Sequence, residues 1–379
     1  MIVRGKTIVL IATVAWQRNW QRQQEWAKRL AEHNRVLYVA PYGMTSMGPL
    51  TVLKKFARER GFTYQHHLST QAQKNLEHVR LKFIPIRNKV WLNWVNVRWM
   101  QHQLKKLGVL DGPETLFWVC NPADTSVALV TRYPKSRVLY DIAMRFSLLP
   151  DAPPWIMESQ ARLAERANVI IYDATASLED LPSNSHYKAT YIPQGCAEER
   201  LTQTVKEHPA VAQIPHPRAV YIGLDTVLDV PLLKKLLAEV PALQLVMIGD
   251  VSPHPIEDPR VHWIGPVNYH QKDRYLAGAD VALIPYLVNR YTAGTFPTKF
   301  FEYRALGLPV VSTALPELRQ FTGQVQLAKT PLQFVEQVRT LLNKSAKSNG
   351  IVQTVPHDFL AEHTWSKRFE KVQEVLGPL

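Results

Sequence analysis

The chain is poor in cysteine. Its 379 residues hold only Cys120 and Cys196, too few for a disulfide framework or a thiolate zinc site on their own. Both are expected to be small buried side chains in a reducing compartment. It also lacks any run of ~18 uncharged apolar residues, the length a spanning helix needs. The apolar run Ile8-Val9-Leu10-Ile11 is too short for a signal-peptide core and has no small-residue cleavage site behind it. It reads as a first buried strand, which predicts a cytoplasmic protein without a spanning anchor. There is no Asp-x-Asp, no Gly-x-x-x-x-Gly-Lys-Ser/Thr loop and no Gly-x-Ser-x-Gly, so the familiar metal–nucleotide, P-loop and serine-hydrolase signatures are excluded. The 13 histidines show no metal-ligand spacing; His66 and His67 are adjacent and point apart.

Acidic residues are scarce in one place. Residues 1–110 carry 19 Lys+Arg against Glu25, Glu32, Glu59 and Glu77, whereas the rest carries 26 basic against 28 acidic residues. The whole excess of +13 therefore sits in the first third. Such a one-sided field suits an anionic lipid surface, a phosphorylated substrate or nucleic acid, unless it is only a solvated face. No nucleic-acid-binding module accompanies it, so nucleic acid is not expected as a partner. Within this third, Trp91, Trp94 and Trp99 share a helical stretch with Arg87, Lys89 and Arg98. The stretch is either a membrane-interface helix or a helix buried on most sides.

What is present is a regular alternation of short apolar runs and helical stretches. Strands are expected at Thr7–Ala12, Arg35–Ala40, Val79–Ile84, Thr115–Val119, Arg137–Tyr140, Val169–Tyr172 and Thr190–Ile192. Helices such as Gln21–Ala31, Val90–Leu107 and Pro154–Ala167 lie between them. Uniformly apolar strands separated by helices predict parallel sheets covered on both faces. Residues 198–217 are polar and contain Pro209, Pro215 and Pro217, the composition of a linker. The alternation then restarts at Ala219. This predicts an N-terminal domain over 1–197, a linker over 198–217, a second domain over 218–355 and a last helical segment over 356–379. Both domains read as doubly wound, Rossmann-like α/β units, and in such folds ligands bind beyond the carboxyl ends of the strands. With two such domains, the cleft between them is the default site.

The most informative stretch runs from Asp280 to Thr313. An apolar strand ends at Pro285, and a polar loop follows with Thr292, Gly294 and Thr295. A helix is expected from Pro297, with Lys299 in its first turn and Glu302 one turn on. A cation at a helix start opposes the dipole and calls for another reason to be there. A phosphate would supply one, since helix N-termini attract anions. Glu302 lies at i+3 from Lys299, on nearly the same face, where a carboxylate could accept hydrogen bonds from two neighbouring sugar hydroxyls.

This stretch resembles the donor-binding motif of GT-B glycosyltransferases of the large retaining group numbered family four. It is most similar to the bacterial teichuronic-acid and cell-surface polysaccharide branch. The motif there is an Asp-led strand ending in Pro-Phe/Tyr, then Pro-x-Lys-x-x-Glu-Tyr-x-Ala-x-Gly-x-Pro-Val-Val. The sequence carries each residue, from Asp280 to Val311. Tyr221-Ile-Gly223, Leu245 to Asp250 and Val261 to Gly265 resemble the opening strands of the family's C-terminal domain. Trp16 with Gln21 to Gln24, Tyr140-Asp141, Tyr191 to Gly195 and Trp365 to Leu376 resemble landmarks elsewhere. The sequence also departs from the family. An upstream glutamate carried by many members would fall at Gly294. Gln17, Arg18 and Asn19 stand where many have a glycine pair, and Met144 and Arg145 stand where another carboxylate is common.

The resemblance implies two facing domains and a metal-independent, retaining transfer. The donor would be a nucleotide-sugar, by analogy with the branch a UDP-sugar, and no further cofactor would be needed. The acceptor would be a cell-surface polysaccharide or lipid-linked glycan, and an anionic inner membrane face would be a further partner. It places Gly223, Gly265, Thr292, Thr295, Lys299 and Glu302 at the donor, with Lys299 on the diphosphate and Glu302 on the ribose. Arg22 is either a phosphate clamp or an exposed charge. Asp141 is either the catalytic carboxylate or the cap of a following helix. A catalytically inactive binding protein of the same fold is the alternative, motivated by the departures.

Overall fold

The computed structural model describes residues 3–17, 20–42, 69–84, 90–149, 152–201, 205–223, 225–251, 253–268, 271–347 and 357–377. Arg18, Asn19, His66, His67, Arg87 and Lys89 lie outside the described residues. The chain divides into two compact units: residues 1–193 with 369–379, and residues 194–368.

The first unit is built on a seven-stranded sheet. Its strands are β1 (Thr7–Ile11), β2 (Arg35–Val39), β3 (Leu76–Val79), β4 (Thr115–Val119), β5 (Arg137–Ile142), β6 (Val169–Tyr172) and β7 (Ala189–Tyr191). The order is β3-β2-β1-β4-β5-β6-β7, and every pairing is parallel. Val9 stands in register with Leu37 on one side and Phe117 on the other, and all three are fully buried. That is why β1 reads as an unbroken apolar run: helices cover both faces, so neither row of side chains meets water. The strand expected at Val79–Ile84 ends at Val79. Beyond it, the backbone of Lys82 bonds to the side-chain amide of Gln103, and that of Ile84 to the amide of Asn96. Side chains of a helix thus replace the sheet ladder, which apolar patterning could not foretell.

That helix is α2 (Val90–Lys106), following α1 (Arg22–Leu30). Leu92, Asn96, Met100 and Leu104 recur every fourth residue and are buried, whereas Trp91, Trp94 and Trp99 are 60%, 56% and 41% exposed. Of the two readings of this stretch, the buried-helix one fails for the tryptophans. Four-residue spacing gives α2 one inward stripe, and Trp91 and Trp94 fall outside it. The Arg98 guanidinium lies 4.2 Å from the centroid of the Trp94 ring.

The most constrained polar group of the first unit is Asp141, near the end of β5. It is fully buried. One carboxylate oxygen accepts from Arg22 Nε at 2.9 Å, and the other from the indole N–H groups of Trp26 and Trp118 at 3.0 and 3.1 Å. Arg22, on α1, is buried as well and donates a second bond to the carbonyl of Ile192 at 2.5 Å. Neither expectation for Asp141 survives. The short 3-10 turn that follows begins at Arg145 without a side-chain cap, and no oxygen of the carboxylate reaches solvent to act as a base. Arg22 is not an exposed charge; two of its nitrogens are engaged within the unit, and Nη2 has no hydrogen-bond partner among the described residues. The two residues form an internal ion pair tying α1, β4 and β5 together.

The second unit carries a six-stranded, all-parallel sheet in the order β10-β9-β8-β11-β12-β13. The strands are β8 (Arg218–Ile222), β9 (Gln244–Ile248), β10 (Val261–Gly265), β11 (Val281–Ile284), β12 (Val310–Thr313) and β13 (Gln326–Ala328). Of the segment expected as a linker, residues 198–201 and 205–217 are described, and they are anchored to this unit. Arg200 pairs with Asp273 at 2.6 Å, His208 stacks on Tyr275 with centroids 3.9 Å apart, and Glu207 pairs closely with the buried Arg218. The prolines exclude a strand but not packing by side chains. The last helix, Trp365–Leu376, begins in the second unit and ends in the first.

Three glycines knit the carboxyl ends of β8, β9 and β10. Gly223 N donates to the carbonyl of Ile248, and Gly249 N to the carbonyl of Gly265, both at 2.9 Å. Gly249 has φ +129°, and a Cβ there would lie 2.0 Å from the carbonyl oxygen of Gly223. Only glycine lets these two backbones approach so closely.

Two stability predictions follow from these contacts. Asp141→Asn leaves Arg22 buried without a counter-charge and is expected to cost about 3–5 kcal/mol in denaturant melts. Unchanged stability with lost turnover would return Asp141 to the reacting centre. Gly249→Ala forces backbone against backbone and is expected to cost about 2–4 kcal/mol. Gly323→Ala, where a Cβ meets nothing within 4 Å, is expected to be neutral, and equal melting of the two variants would refute the close-approach argument.

Candidate donor-binding site

In the second sheet the strand order reverses between β8 and β11. At such a switch point neighbouring strands send their chains to opposite faces, leaving a crevice at their carboxyl ends. Tyr221 and Gly223 lie at the end of β8, and Tyr286 two residues beyond β11. The helix α7 (Lys299–Ala305), which follows α3 (Asp124–Thr131), α4 (Ile156–Arg166), α5 (Val230–Glu239) and α6 (Lys272–Leu276) in the chain, supplies Lys299 and Glu302.

Lys299 is buried, 8% exposed. Its ammonium donates to the Tyr286 hydroxyl at 2.6 Å and lies 4.3 and 4.6 Å from the ring centroids of Tyr221 and Tyr286. Two aromatic faces partly replace lost water around the cation. A Cβ on Gly223 would sit 2.6 Å from Lys299 Nζ and 2.5 Å from Tyr221 Oη, so the glycine makes room for the ammonium. Burial lowers the Lys299 pKa to about 7, against the opposing pull of Glu302. Burial also raises that of Tyr286, which therefore remains a neutral hydroxyl.

Glu302 Oε1 accepts from Lys272 Nζ at 2.5 Å, and Lys272 is itself buried. Burial pushes the Glu302 carboxyl up, but Lys272, Arg200 and Lys299 outweigh it and hold it below the usual glutamate range. Arg200, Lys272 and Lys299 all act on Glu302, and the Lys299 ammonium in its charged form is only partly balanced by the groups around it. An anion is the natural complement.

The remaining expected residues fall elsewhere. Thr292 closes a capping box with Asn289, and its hydroxyl donates to the carbonyl of Leu287 at 2.5 Å. The Thr295 hydroxyl donates to the carbonyl of Tyr291 at 3.0 Å. Both threonines turn their hydroxyl protons back into the loop. Gly265 closes β10 and holds Gly249 through its carbonyl; its part is to fix the strand ends. Arg22 and Asp141 belong to the first unit. The start of α7 is also less open than expected, because Phe300 N and Phe301 N already donate to the carbonyls of Pro297 and Thr298. Gly294, where an upstream glutamate would have stood, ends the short helix Arg290–Ala293. Gly223, Lys299 and Glu302 thus come together as expected. Tyr221 and Tyr286 could have been found as ring-bearing residues at the two strand ends of the switch point. Lys272 and Arg200 could not, being single cations in polar stretches without periodic context.

Residues 230–374 match the Glycosyl transferase-like family. The chain is 22% identical over 279 residues to TuaH of Bacillus subtilis (strain 168), named as a teichuronic acid biosynthesis glycosyltransferase; the match covers 66% of this chain and 69% of that one. Among solved structures, sucrose-phosphate synthase of Thermosynechococcus elongatus superimposes with a TM-score of 0.68 at 14% identity, over 98% of each chain. HepE of Anabaena, solved with UDP and glucose, gives 0.68 at 12% identity over 99% of this chain and 100% of its own. These structures establish the fold, and the family match covers the part of the chain that carries Lys299 and Glu302. The chain is a glycosyltransferase of the GT-B fold.

Proposed function

We propose that this glycosyltransferase moves a sugar from a UDP-sugar to a cell-surface polysaccharide or lipid-linked glycan, with retention and without a metal. One observation carries the donor half of this reading. A buried, neutral-leaning ammonium stands in a cradle of Tyr221, Tyr286 and Gly223, with Glu302 beside it. The diphosphate is assigned to Lys299. When the bond to the sugar breaks, negative charge grows on the phosphate oxygen, and a cation fixed in a dry site stabilises that charge more than water would. The ribose hydroxyls are assigned to Glu302. The choice of UDP is supported by the solved HepE complex, and the class of acceptor by the name of the TuaH relative.

The basic first third and the exposed tryptophans of α2 support a working place at the anionic inner face of the membrane. Among the described residues no helix is long and apolar enough to cross a membrane, so binding would be peripheral. Trp91, Trp94 and Trp99 supply amphipathic rings for the headgroup level, and Arg98 adds charge next to Trp94. Co-sedimentation with anionic vesicles should fall with rising salt, since the attraction decays within a Debye length. Trp91→Ala with Trp94→Ala should weaken it at unchanged melting temperature. Equal binding to neutral vesicles would defeat the electrostatic part.

Lys299→Ala should weaken UDP and UDP-sugar alike by ~1.5–3 kcal/mol, roughly ten- to a hundredfold, and leave uridine nearly unaffected. Parent-like affinity for UDP in this variant would remove the main support for the donor reading. Hydrolysis of a UDP-sugar by the purified protein, undiminished by a chelator, and the anomeric form of the transferred sugar test metal independence and retention.

The pH dependence has a definite sign. In the free protein Lys299 is charged below about pH 7 and neutral above it. A diphosphate alongside raises that value, so binding above pH 7 takes up a proton. Affinity should therefore fall as pH rises past 7, by up to roughly tenfold per unit. A nucleotide-sugar is the proper probe, because its diphosphate diester has no ionisation of its own in that range. Lys299→Arg, charged throughout, should flatten the profile, and an equally steep profile in that variant would show that another group titrates.

A further inference from the structure

We propose that Lys272 is a positioning residue for the donor: it fixes one oxygen of Glu302 so that the other stays aimed at the ribose hydroxyls. The inference rests on the donor-site reading above and assigns a role to a residue outside the matched motif.

Lys272 opens the short helix α6. Lysine is poorly suited to the first position of a helix, where the dipole already carries positive charge. It is poorly suited to burial too, and only 7% of it is exposed. An apolar residue of similar length would fill the position at lower cost. What Lys272 gains is Glu302 Oε1 at 2.5 Å. Among the described residues Glu302 Oε2 makes no hydrogen bond, and the side chain keeps about a fifth of its surface open. The two oxygens therefore differ: one is tied to α6, the other is left for a ligand. A carboxylate clamped at one oxygen loses little freedom when it binds a hydroxyl through the other.

The clamp also governs the charge of Glu302. The groups facing it are Lys272 and Asp273 from α6, Arg200 from the turn Glu198–Leu201, Lys299 on its own helix, and Cys196 and Tyr286 nearby. Of the cations, Lys272 acts on it most strongly. Without it, burial would favour the protonated acid, a weaker acceptor for sugar hydroxyls.

The test compares calorimetric affinities for UDP and 2′-deoxy-UDP across pH. The parent protein should prefer UDP by about tenfold. In Lys272→Met that preference should shrink toward unity at mildly acidic pH and recover as pH rises, while affinity for 2′-deoxy-UDP stays near the parent's. Lys272→Arg should restore the preference. In a Glu302→Gln background, Lys272→Met should change nothing further, because the effect passes through the carboxylate. Should Lys272→Met not fold, Lys272→Gln, which keeps a donor without the charge, is read in the same way. An equal loss for both nucleotides would overturn the proposal by making Lys272 a phosphate contact, and an undiminished preference would overturn it by making the ion pair architectural. A parent protein indifferent to the 2′-hydroxyl would instead defeat the ribose assignment of Glu302, before any variant is made.

Discussion

A lysine taken out of water must find something to replace its hydration, and the ligand end of the second unit is organised around that demand. Lys299 finds two tyrosine rings, a hydroxyl at 2.6 Å and a neighbouring carboxylate. These do not suffice to keep its pKa at the ordinary value, which falls to about 7. Burial outweighs them, so in the free site the protein compensates this cation only in part. Binding an anion there relieves a cost already present in the fold, which is how a preorganised site favours charge on its ligand. Gly223 is part of the same arrangement, since any side chain at that position would collide with the ammonium.

The first unit answers the same demand in the opposite way. Asp141 is buried more deeply than Glu302, and both of its oxygens are engaged, one by an arginine and the other by two indole N–H groups. Arg145, standing where relatives of the resembled branch carry an acid, is likewise closed off, with Asp180 at 2.6 Å and Glu179 at 2.9 Å. Charges paired in this way hold elements together, although Arg22 Nη2 stays buried without a hydrogen-bond partner among the described residues. The distinction between a structural and a functional buried charge thus lies in what remains unsatisfied. Asp141 has its acceptors spent, whereas Glu302 has one oxygen engaged and Lys299 is only partly compensated.

Much of the fold was legible because parallel sheets covered on both faces demand apolar runs, and β1, β4, β6 and β11 are such runs. Patterning failed where the chain satisfies its backbone by other means, as at 80–84, where Gln103 and Asn96 stand in for a neighbouring strand. It failed again at 198–217, where ion pairs and a ring stack hold a proline-containing segment on the second unit. At the site, Lys299, Glu302 and Gly223 were legible because each belongs to a motif with fixed spacing along one helix or one strand end. For Thr292 and Thr295, spacing places a hydroxyl near a site without saying where its proton points, and both protons point back into their own loop. Lys272 was invisible because its meaning comes entirely from Glu302, thirty positions away in the chain.

The exposed face of α2 is explained by the same accounting. A helix packed on a sheet needs one apolar stripe, and Leu92, Met100 and Leu104 supply it with Asn96 between them as the partner of Ile84. Trp91 and Trp94 lie beyond that stripe, and with Trp99 they leave 60%, 56% and 41% of their surface exposed. Left in water, large rings are a liability for solubility. Rings of this kind on a basic segment complement a surface both apolar and anionic, the composition of a membrane's headgroup region and the basis of the peripheral binding proposed above. A polymer acceptor attached to lipid would present itself at that same surface. On the reading proposed above, the charge imbalance of the first third would draw the enzyme to where its acceptor is held, and the buried ammonium of the second unit would hold the diphosphate from which the sugar departs.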